Sequence, residues 1–324
     1  MSRESITGAA AQMGMRAEPG TFGRVLLQAA QQRPEVVALT ADLAKYTDLQ
    51  AFAETYPTRF LNVGMAEQNL VMVAAGMARS GLVPVATTFA AFMTRRAQDF
   101  TIMQVALPRA NVKLIGAVPG VMPTFGPSHT SIDDLAMMRA VPNMVVIDPC
   151  DMRDLKEATA AALAYDGPVY LRQPFFNAQS AAVTSEREAF QIGKNTLLCA
   201  GGDVGIIASS FMVGEALQAA QQLAQQGIQA SVLKVSSLKP FDTRSVLELA
   251  ARVPRLITAE NHSVIGGLFS TVAETLAREG LAVRVEAVGV QDVFPMFGSR
   301  EYVAGQLNMT SGEIVKRALS LCRI

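Results

Sequence analysis

Residues 60–79 read FLNVGMAEQNLVMVAAGMAR, a succession that indicates a strand, a tight turn and a helix. The run 60–63 is typical of a short strand, and Gly64 supplies a turn residue. Over 66–79 the apolar residues recur with helical period and predict one buried stripe. Gly81 then occupies the left-handed position that often ends a helix. A strand followed by a helix with one buried stripe is the repeating unit of a parallel sheet covered by helices.

The same alternation of strands and helices continues in both directions along the chain. We predict an α/β protein with two doubly wound, mostly parallel domains, the second one smaller. Further strands of the first domain are expected at 36–39, 83–87, 112–117, 144–147 and 169–171, and those of the second at 204–208, 230–234, 256–259 and 283–288. The predicted divisions are an N-terminal tail at 1–17, a first domain at 18–176, a polar linker at 177–194 and a second domain at 195–324.

The bulk composition narrows the class of protein. The 324 residues suffice for two cores, and 28 basic residues balance 28 acidic ones, so nothing points to nucleic acid or an anionic membrane. No apolar run is long enough to cross a bilayer, and no secretory signal is visible. Three widely spaced cysteines argue against a disulfide framework and a zinc site, and the two histidines leave little for a histidine-based metal site. We therefore expect a cytoplasmic protein.

Residues that follow strands are the first candidates for chemistry, because parallel sheets bind ligands at the carboxyl ends of their strands. Glu67 lies in the first turn of a predicted helix, as an acid favoured by the helix dipole or as a carboxyl group for proton transfer. Phe89 and Phe92 follow a strand, either as core residues or as a slot that stacks on a heteroaromatic ring. His129 lies in a Gly/Pro-rich loop, either as a functional residue or as a structural one. Arg172 ends a strand and suits either a phosphate or an ordinary surface salt bridge.

Several segments of the first unit occur together and in a characteristic order: Ala41-Asp42-Leu43, Gly64-Met65-Ala66-Glu67-Gln68, Thr88-Phe89 with Phe92, Gly126-Pro127-Ser128-His129, Leu135 to Met144, Asp148-Pro149-Cys150-Asp151 and Leu171-Arg172-Gln173. The second unit contains Gly202-Asp203-Val204, Leu238-Lys239-Pro240-Phe241-Asp242, Glu260-Asn261-His262 and Gly266-Gly267. In combination and order the first set resembles the pyrimidine-binding domain of the transketolase family, and the second set resembles the C-terminal domain of that family. The superfamily includes deoxyxylulose-phosphate synthases and the β subunits of 2-oxoacid dehydrogenases.

The resemblance implies thiamine diphosphate as cofactor. Glu67 matches the glutamate that hydrogen-bonds the pyrimidine nitrogen N1′, and burial in an apolar slot would favour its neutral form. Phe92 matches the ring that stacks on the pyrimidine, and Phe89 completes the wall. Asp42 matches an acid close to the cofactor, with a simple turn residue as the alternative.

The resemblance also implies substrate contacts. His129 matches a histidine that hydrogen-bonds oxygens of the ketose substrate, and Arg172 matches an arginine that binds the sugar phosphate. Arg95 could also face the substrate.

A missing motif predicts a partner chain. The family holds the diphosphate through Mg²⁺ on a separate domain that carries Gly-Asp-Gly and a later asparagine. The segment Gly201-Gly202-Asp203-Val204 does not match that motif, because valine replaces the second glycine and no suitably placed asparagine follows. We expect this chain to provide no metal ligand and to need a subunit with the diphosphate-binding domain, in an α2β2 heterotetramer.

Two departures concern the substrate. The family's usual Asp-Gly-Pro-Thr-His is here Phe125-Gly126-Pro127-Ser128-His129, and residues 117–122 lack the usual phosphate-binding histidine. The first hypothesis is therefore a transketolase subunit that moves a two-carbon ketol unit between sugar phosphates, with an atypical ketose phosphate as donor. The alternatives are a 2-oxoacid-using relative and an assembly subunit without activity of its own.

Overall fold

The computed structural model describes residues 20–122, 125–174 and 188–322, so the predicted tail and most of the predicted linker lie outside the described residues. The helices are α1 Thr21–Gln32, α2 Gln50–Thr55, α3 Glu67–Arg79, α4 Ala90–Phe100, α5 Asp134–Ala140, α6 Met152–Ala164, α7 Met212–Ala224, α8 Thr243–Arg252, α9 Leu268–Arg278, α10 Arg300–Gln306 and α11 Ser311–Cys322. The strands are β1 Val36–Thr40, β2 Phe60–Asn62, β3 Val83–Phe89, β4 Lys113–Ala117, β5 Val145–Ile147, β6 Val169–Gln173, β7 Thr196–Cys199, β8 Val204–Ala208, β9 Ala230–Lys234, β10 Ser237–Lys239, β11 Arg255–Ser263 and β12 Arg284–Val290.

The strands form two sheets, which confirms the predicted α/β class. The first has the order β10-β5-β6-β4-β3-β1-β2 and the second the order β12-β11-β8-β9-β7. All neighbours are parallel except β10 with β5 and β7 with β9. Parallel strands buried on both faces are expected to be continuously apolar, and every residue of β1, β8 and β9 is buried.

Two short antiparallel strands were not predicted, and one of them joins the two halves of the chain. Strand β10 belongs to the second half of the sequence but adds to the edge of the first sheet, where Ser237 pairs with Ile147. The ammonium group of Lys239 donates to the backbone carbonyl of Arg139 at 2.9 Å. The domain division is therefore less strict in space than along the sequence.

The apolar core also crosses the junction. The face of the first sheet that carries α3 and α4 contributes Leu70, Met93 and Leu114 to one cluster, which continues into Leu233 and Leu268 of the second half. The opposite face of the first sheet packs on α1 and α6 in a separate cluster. Burial of this kind contributes roughly 25 cal/mol per Å² of apolar surface, so the two halves stabilise each other.

The register brings the candidate residues to one edge of the first sheet. Thr40 of β1 lies opposite Thr87 of β3, and Phe89 at the end of β3 lies opposite Ala117 at the end of β4. The segments that follow these strands therefore meet at the carboxyl edge. Among the described residues, no helix has both the length and the apolar character that a membrane span requires.

Candidate functional site

Glu67 is presented at the carboxyl edge by a strand-turn-helix unit. After β2 the chain turns at Gly64, whose φ of 77° is easily reached by glycine, and α3 begins at Glu67. The amide of Gly64 donates to Oδ1 of Asn62 at 3.0 Å, which fixes the turn. The carboxyl group of Glu67 is almost entirely buried although it lies at a helix end.

Glu67 has an ionic partner on α4. Its Oε1 accepts a hydrogen bond from Nη1 of Arg96 at 2.8 Å. The side chain of Glu67 is 4% exposed and that of Arg96 is 49% exposed, so the arginine covers the carboxyl from the solvent side. The guanidinium carbon of Arg96 also lies 3.9 Å from the centre of the Phe92 ring. Carboxyl, guanidinium and ring therefore form one contact group.

An aromatic cluster adjoins this group. The ring centres of Phe89 and Phe92 are 5.7 Å apart, and those of Phe92 and His129 are 5.1 Å apart with the rings at 64°. Phe125 lies 6.3 Å from Phe89 with nearly parallel rings and 5.3 Å from His129. Phe89 is buried, whereas Phe125 is exposed at the rim. The arrangement is an aromatic wall with one imidazole in it.

His129 is half-buried and is held by its own loop. Its Nδ1 lies 2.9 Å from Oγ of Ser128, and its backbone amide donates to the carbonyl of Gly126 at 3.1 Å. Burial lowers the pKa of His129, and the positive charge of Arg96 lowers it further. The imidazole is therefore neutral at pH 7 and can both donate and accept a hydrogen bond.

Asp42 lies at the same edge, directly after β1. Its φ of 59° is left-handed, which aspartate tolerates better than most residues. Asn62 holds it in two ways: Nδ2 of Asn62 donates to the Asp42 carboxylate at 2.8 Å, and Oδ1 accepts from the Asp42 amide at 3.0 Å. The carboxylate is exposed, so it is available to a ligand or to another chain.

Arg95 points to the loop that carries His129. Its guanidinium donates to the carboxylate of Asp133 at 2.8 Å and to the carbonyl of Thr130 at 3.0 Å. These bonds connect α4 to the end of that loop. The side chain remains partly exposed.

Arg172 is not brought to this group. It is entirely buried at the junction of the two sheets, where its Nε donates to Asp134 at 2.8 Å and its Nη1 donates to the carbonyl of Asn261 at 3.1 Å. Nη1 also contacts Asp148 at 3.3 Å. The structure therefore places Arg172 in a buried network of ion pairs, which is neither the phosphate contact nor the surface salt bridge expected from the sequence.

The two acids around Arg172 respond differently to burial. Burial alone would raise the pKa of Asp134, but the charge and hydrogen bonds of Arg172 hold it below its usual value. Burial raises the pKa of Asp148 to about 6, and the attraction of Arg172 offsets only part of this. Asp134 has the closer contacts with Arg172, which explains the difference.

The sequence assigns no role to Arg96 of the contact group or to Phe125 of the adjoining aromatic cluster. Arg96 follows Phe92 by one helical turn, a spacing at which side chains meet, so the motif did contain a signal for this pair. Phe125 was noted only as a departure from an acid. Its stacking on Phe89 depends on the path of a Gly/Pro-rich loop, which spacing does not reveal.

A pyrimidine ring fits the chemistry of this contact group. A buried carboxyl beside an aromatic face offers one hydrogen-bonding partner and one stacking surface, which are what an aminopyrimidine needs. A diphosphate with Mg²⁺ needs several oxygen ligands. Within the described ranges, no group of three or more His, Cys, Asp and Glu side chains is placed to hold a metal ion.

The comparisons with known proteins agree with this geometry. The family described as the transketolase pyrimidine binding domain matches residues 19–178, and the transketolase C-terminal domain matches residues 193–314. Fold and site thus define a chain in which a pyrimidine-binding domain is followed by a transketolase C-terminal domain.

The chain belongs to the transketolase family. A transketolase family protein of Sinorhizobium fredii is 43% identical over 92% of this chain and 86% of its own length. The SqwH subunit of a 6-deoxy-6-sulfo-D-fructose transketolase from a Clostridium species is 42% identical over 92% of each chain. A solved split-gene transketolase, described as an inactive β4 tetramer, has a TM-score of 0.83 and 38% identity over 94% of this chain and 97% of its own.

Proposed function

We propose that this chain is the subunit of a thiamine-diphosphate-dependent transketolase that binds the cofactor's pyrimidine ring. The enzyme would transfer a two-carbon ketol unit from a ketose to an aldose acceptor. The observation that carries the proposal is the buried carboxyl of Glu67 beside the aromatic wall at the carboxyl edge of the sheet.

Glu67, Phe89, Phe92 and Asp42 each have a role in this proposal. When bound, thiamine diphosphate supplies the carbon nucleophile, and the protein orients it. Glu67 would hydrogen-bond the ring nitrogen N1′ and exchange a proton there, while Phe92 and Phe89 would provide the stacking surface. Asp42 would face the cofactor from the neighbouring strand end.

His129 would contact the substrate. Its neutral imidazole, next to Phe92 and Phe125, can donate a hydrogen bond to a hydroxyl or carbonyl oxygen of the ketose without adding charge. Arg95 donates a hydrogen bond to the carbonyl of Thr130, in the loop that carries His129. It would act on the substrate by positioning that loop, or directly through the exposed part of its side chain.

A second chain would complete the active site. It would carry the domain with Gly-Asp-Gly and the later asparagine, hold the diphosphate and Mg²⁺, and assemble with this chain as an α2β2 heterotetramer. Support comes from two relatives, one named as a subunit and one as the product of a split gene.

The substrate would be an atypical ketose rather than a common pentose phosphate. Phe125 places an apolar ring beside His129, where a carboxylate that contacts sugar hydroxyls is usual in the family. Arg172, the expected phosphate ligand, is buried away from the group. The SqwH relative acts on a sulfonated ketose by name, which supports a donor whose terminal group differs from that of the usual sugars.

The test is reconstitution with the chain that carries the diphosphate-binding domain. Thiamine diphosphate with Mg²⁺ should bind the pair and bind this chain alone weakly or not at all. Glu67→Gln keeps the size of the side chain and should reduce turnover roughly 100-fold to 10,000-fold, the usual contribution of a proton-transferring group.

The donor panel decides between the reaction types. It should contain xylulose 5-phosphate, fructose 6-phosphate and 6-deoxy-6-sulfofructose as ketoses, with pyruvate to detect a 2-oxoacid-using enzyme. Turnover of pyruvate without turnover of any ketose would refute the transketolase proposal, as would full activity of the Glu67→Gln pair or of this chain alone.

A further inference from the structure

The place at which the proposed pyrimidine ring would bind is taken by a side chain of the protein itself. Arg96 makes both contacts that the ring needs: it donates to Oε1 of Glu67 at 2.8 Å, and its central carbon lies over Phe92 at 3.9 Å from the ring centre. A guanidinium is planar and donates hydrogen bonds, so it can replace an aminopyrimidine at a carboxyl and at an aromatic face.

The two occupants exclude each other. One face of Phe92 cannot stack on the guanidinium and on a pyrimidine at the same time. Oε1 of Glu67 already accepts a hydrogen bond from the same guanidinium that covers this ring.

Arg96 is able to leave. About half of its side chain is exposed, and among the described residues it is held by its hydrogen bond to Glu67 and its contact with Phe92. Its sequence neighbour Arg95 is instead held by Asp133 and Thr130 and points to the His129 loop. The arrangement therefore combines a buried acceptor with a donor that can swing out to solvent.

We propose that Arg96 is a displaceable placeholder for the cofactor's pyrimidine ring, which keeps the Glu67 carboxyl paired and the Phe92 face covered until the cofactor enters. The inference rests on the proposed function and adds a residue that opposes cofactor binding. The cofactor can bind only to those molecules in which Arg96 has left the site. The Arg96 contacts reduce the fraction of such molecules, and the apparent affinity for the cofactor falls in proportion to that fraction. Because Arg96 pairs with Glu67, the Glu67 carboxylate is not left buried without a partner when the cofactor is absent.

The test measures cofactor affinity rather than turnover. Thiamine diphosphate is titrated calorimetrically, with Mg²⁺ present, into the complex of this chain with its partner. Arg96→Met retains an unbranched side chain of similar reach but removes the charge and the donors. We expect its dissociation constant to be about tenfold lower than that of the unmodified complex, because a half-exposed ion pair and one cation–π contact are lost from the closed state. Arg96→Lys keeps the charge without the planar group and should lie between the two.

Arg59→Met is the matched control. Arg59 lies 3.9 Å above the Tyr56 ring, the same distance as Arg96 above Phe92, but its Nη1 donates to the backbone carbonyl of Ala30 rather than to Glu67. This variant loses an equivalent stacking contact and should leave the affinity unchanged.

His129 provides a second measurement in the chain alone. The sequence has only two histidines, and Arg96 lowers the pKa of His129. The NMR titration of its ring should therefore move to higher pH in Arg96→Met, even without partner or cofactor.

The outcomes are distinct. Tighter binding by Arg96→Met supports the placeholder. Equal or weaker binding by Arg96→Met, with clear binding by the unmodified complex, overturns it and leaves the proposed function intact. Absence of binding in every complex overturns the proposed function and the inference together. An unchanged His129 titration would place Arg96 elsewhere in solution and would also overturn the inference.

Discussion

Replacing Arg172 by methionine tests whether this arginine stabilises the protein or binds substrate. The side chain is fully buried, and its guanidinium is shared by Asp134, Asp148 and the backbone carbonyl of Asn261. Methionine fills part of the volume but leaves two acidic groups and one carbonyl without a cationic donor. Tyr170 still donates to Asp134, at 2.6 Å.

The expected loss is large. Removing one partner of a buried ion pair typically costs about 3–5 kcal/mol, because the remaining charge stays buried without compensation. A domain of ordinary stability has about 5–15 kcal/mol in total, so Arg172→Met should unfold at much lower urea concentration or fail to accumulate. The assay is urea unfolding of the chain at pH 7, followed by far-ultraviolet circular dichroism.

A double-mutant cycle separates this explanation from general damage. Asp134→Asn alone removes the charge of the closest partner of Arg172. The double variant Arg172→Met/Asp134→Asn should lose less free energy of unfolding than the sum of the two single variants, because the uncompensated charge is gone. Unchanged stability of Arg172→Met together with a raised KM for the ketose would refute the reasoning and restore the phosphate-binding role.

Three further predictions concern the junction and the loop. Gly120→Ala should lower the free energy of unfolding by about 1–3 kcal/mol in urea titrations, because Gly120 has a φ of +65° and a Cβ there would collide with the side-chain amide of Asn261. Asp148 has a folded-state pKa of about 6, above its unfolded value near 3.8. Its contribution to stability is therefore fully present below pH 3.8 and is lost as the pH rises through 6. Asp148→Asn should remove this loss of stability from the pH profile of the free energy of unfolding. His129→Asn should lower kcat/KM for the ketose donor about tenfold to a hundredfold in the reconstituted pair, while the calorimetric affinity for thiamine diphosphate stays unchanged, since only a substrate hydrogen bond is lost.

The fold was predictable where the sequence pattern is local. The runs Val204–Ala208 and Ala230–Lys234 became strands with the predicted bounds, because strands buried on both faces are mostly apolar. The charged exception, Lys234, is buried in an ion pair with Asp154. Strand β10 was missed because three residues, Ser237–Lys239, contain no period, and their pairing with β5 depends on how the two halves pack. An edge strand of this kind is specified by its neighbour rather than by its own residues.

The site was predictable where strand ends converge and not where partners are distant in sequence. The carboxyl-edge rule correctly grouped Phe89, Phe92 and His129, which the structure places in one aromatic cluster. The same rule suggested that Arg172, at the end of β6, would face a ligand. Its true partners, Asp134 and Asp148, lie on other segments, and no spacing in the sequence connects them to the arginine.

The junction around Arg172 explains why the second domain matters to a site built on the first. Arg172 donates to the backbone carbonyl of Asn261, and the Asn261 side chain in turn accepts from the amide of Val121 at 3.0 Å and donates to the carbonyl of Pro119 at 3.4 Å. These two residues begin the loop that carries His129, whose far end Arg95 holds through Thr130 and Asp133. The loop is therefore fixed at one end by the second domain and at the other by α4.

A buried polar group without a hydrogen-bonding partner costs free energy. A displaced Asn261 would therefore move the loop with it rather than remain unpaired. The C-terminal domain, which places no residue in the aromatic cluster described above, would on this basis still control the position of His129.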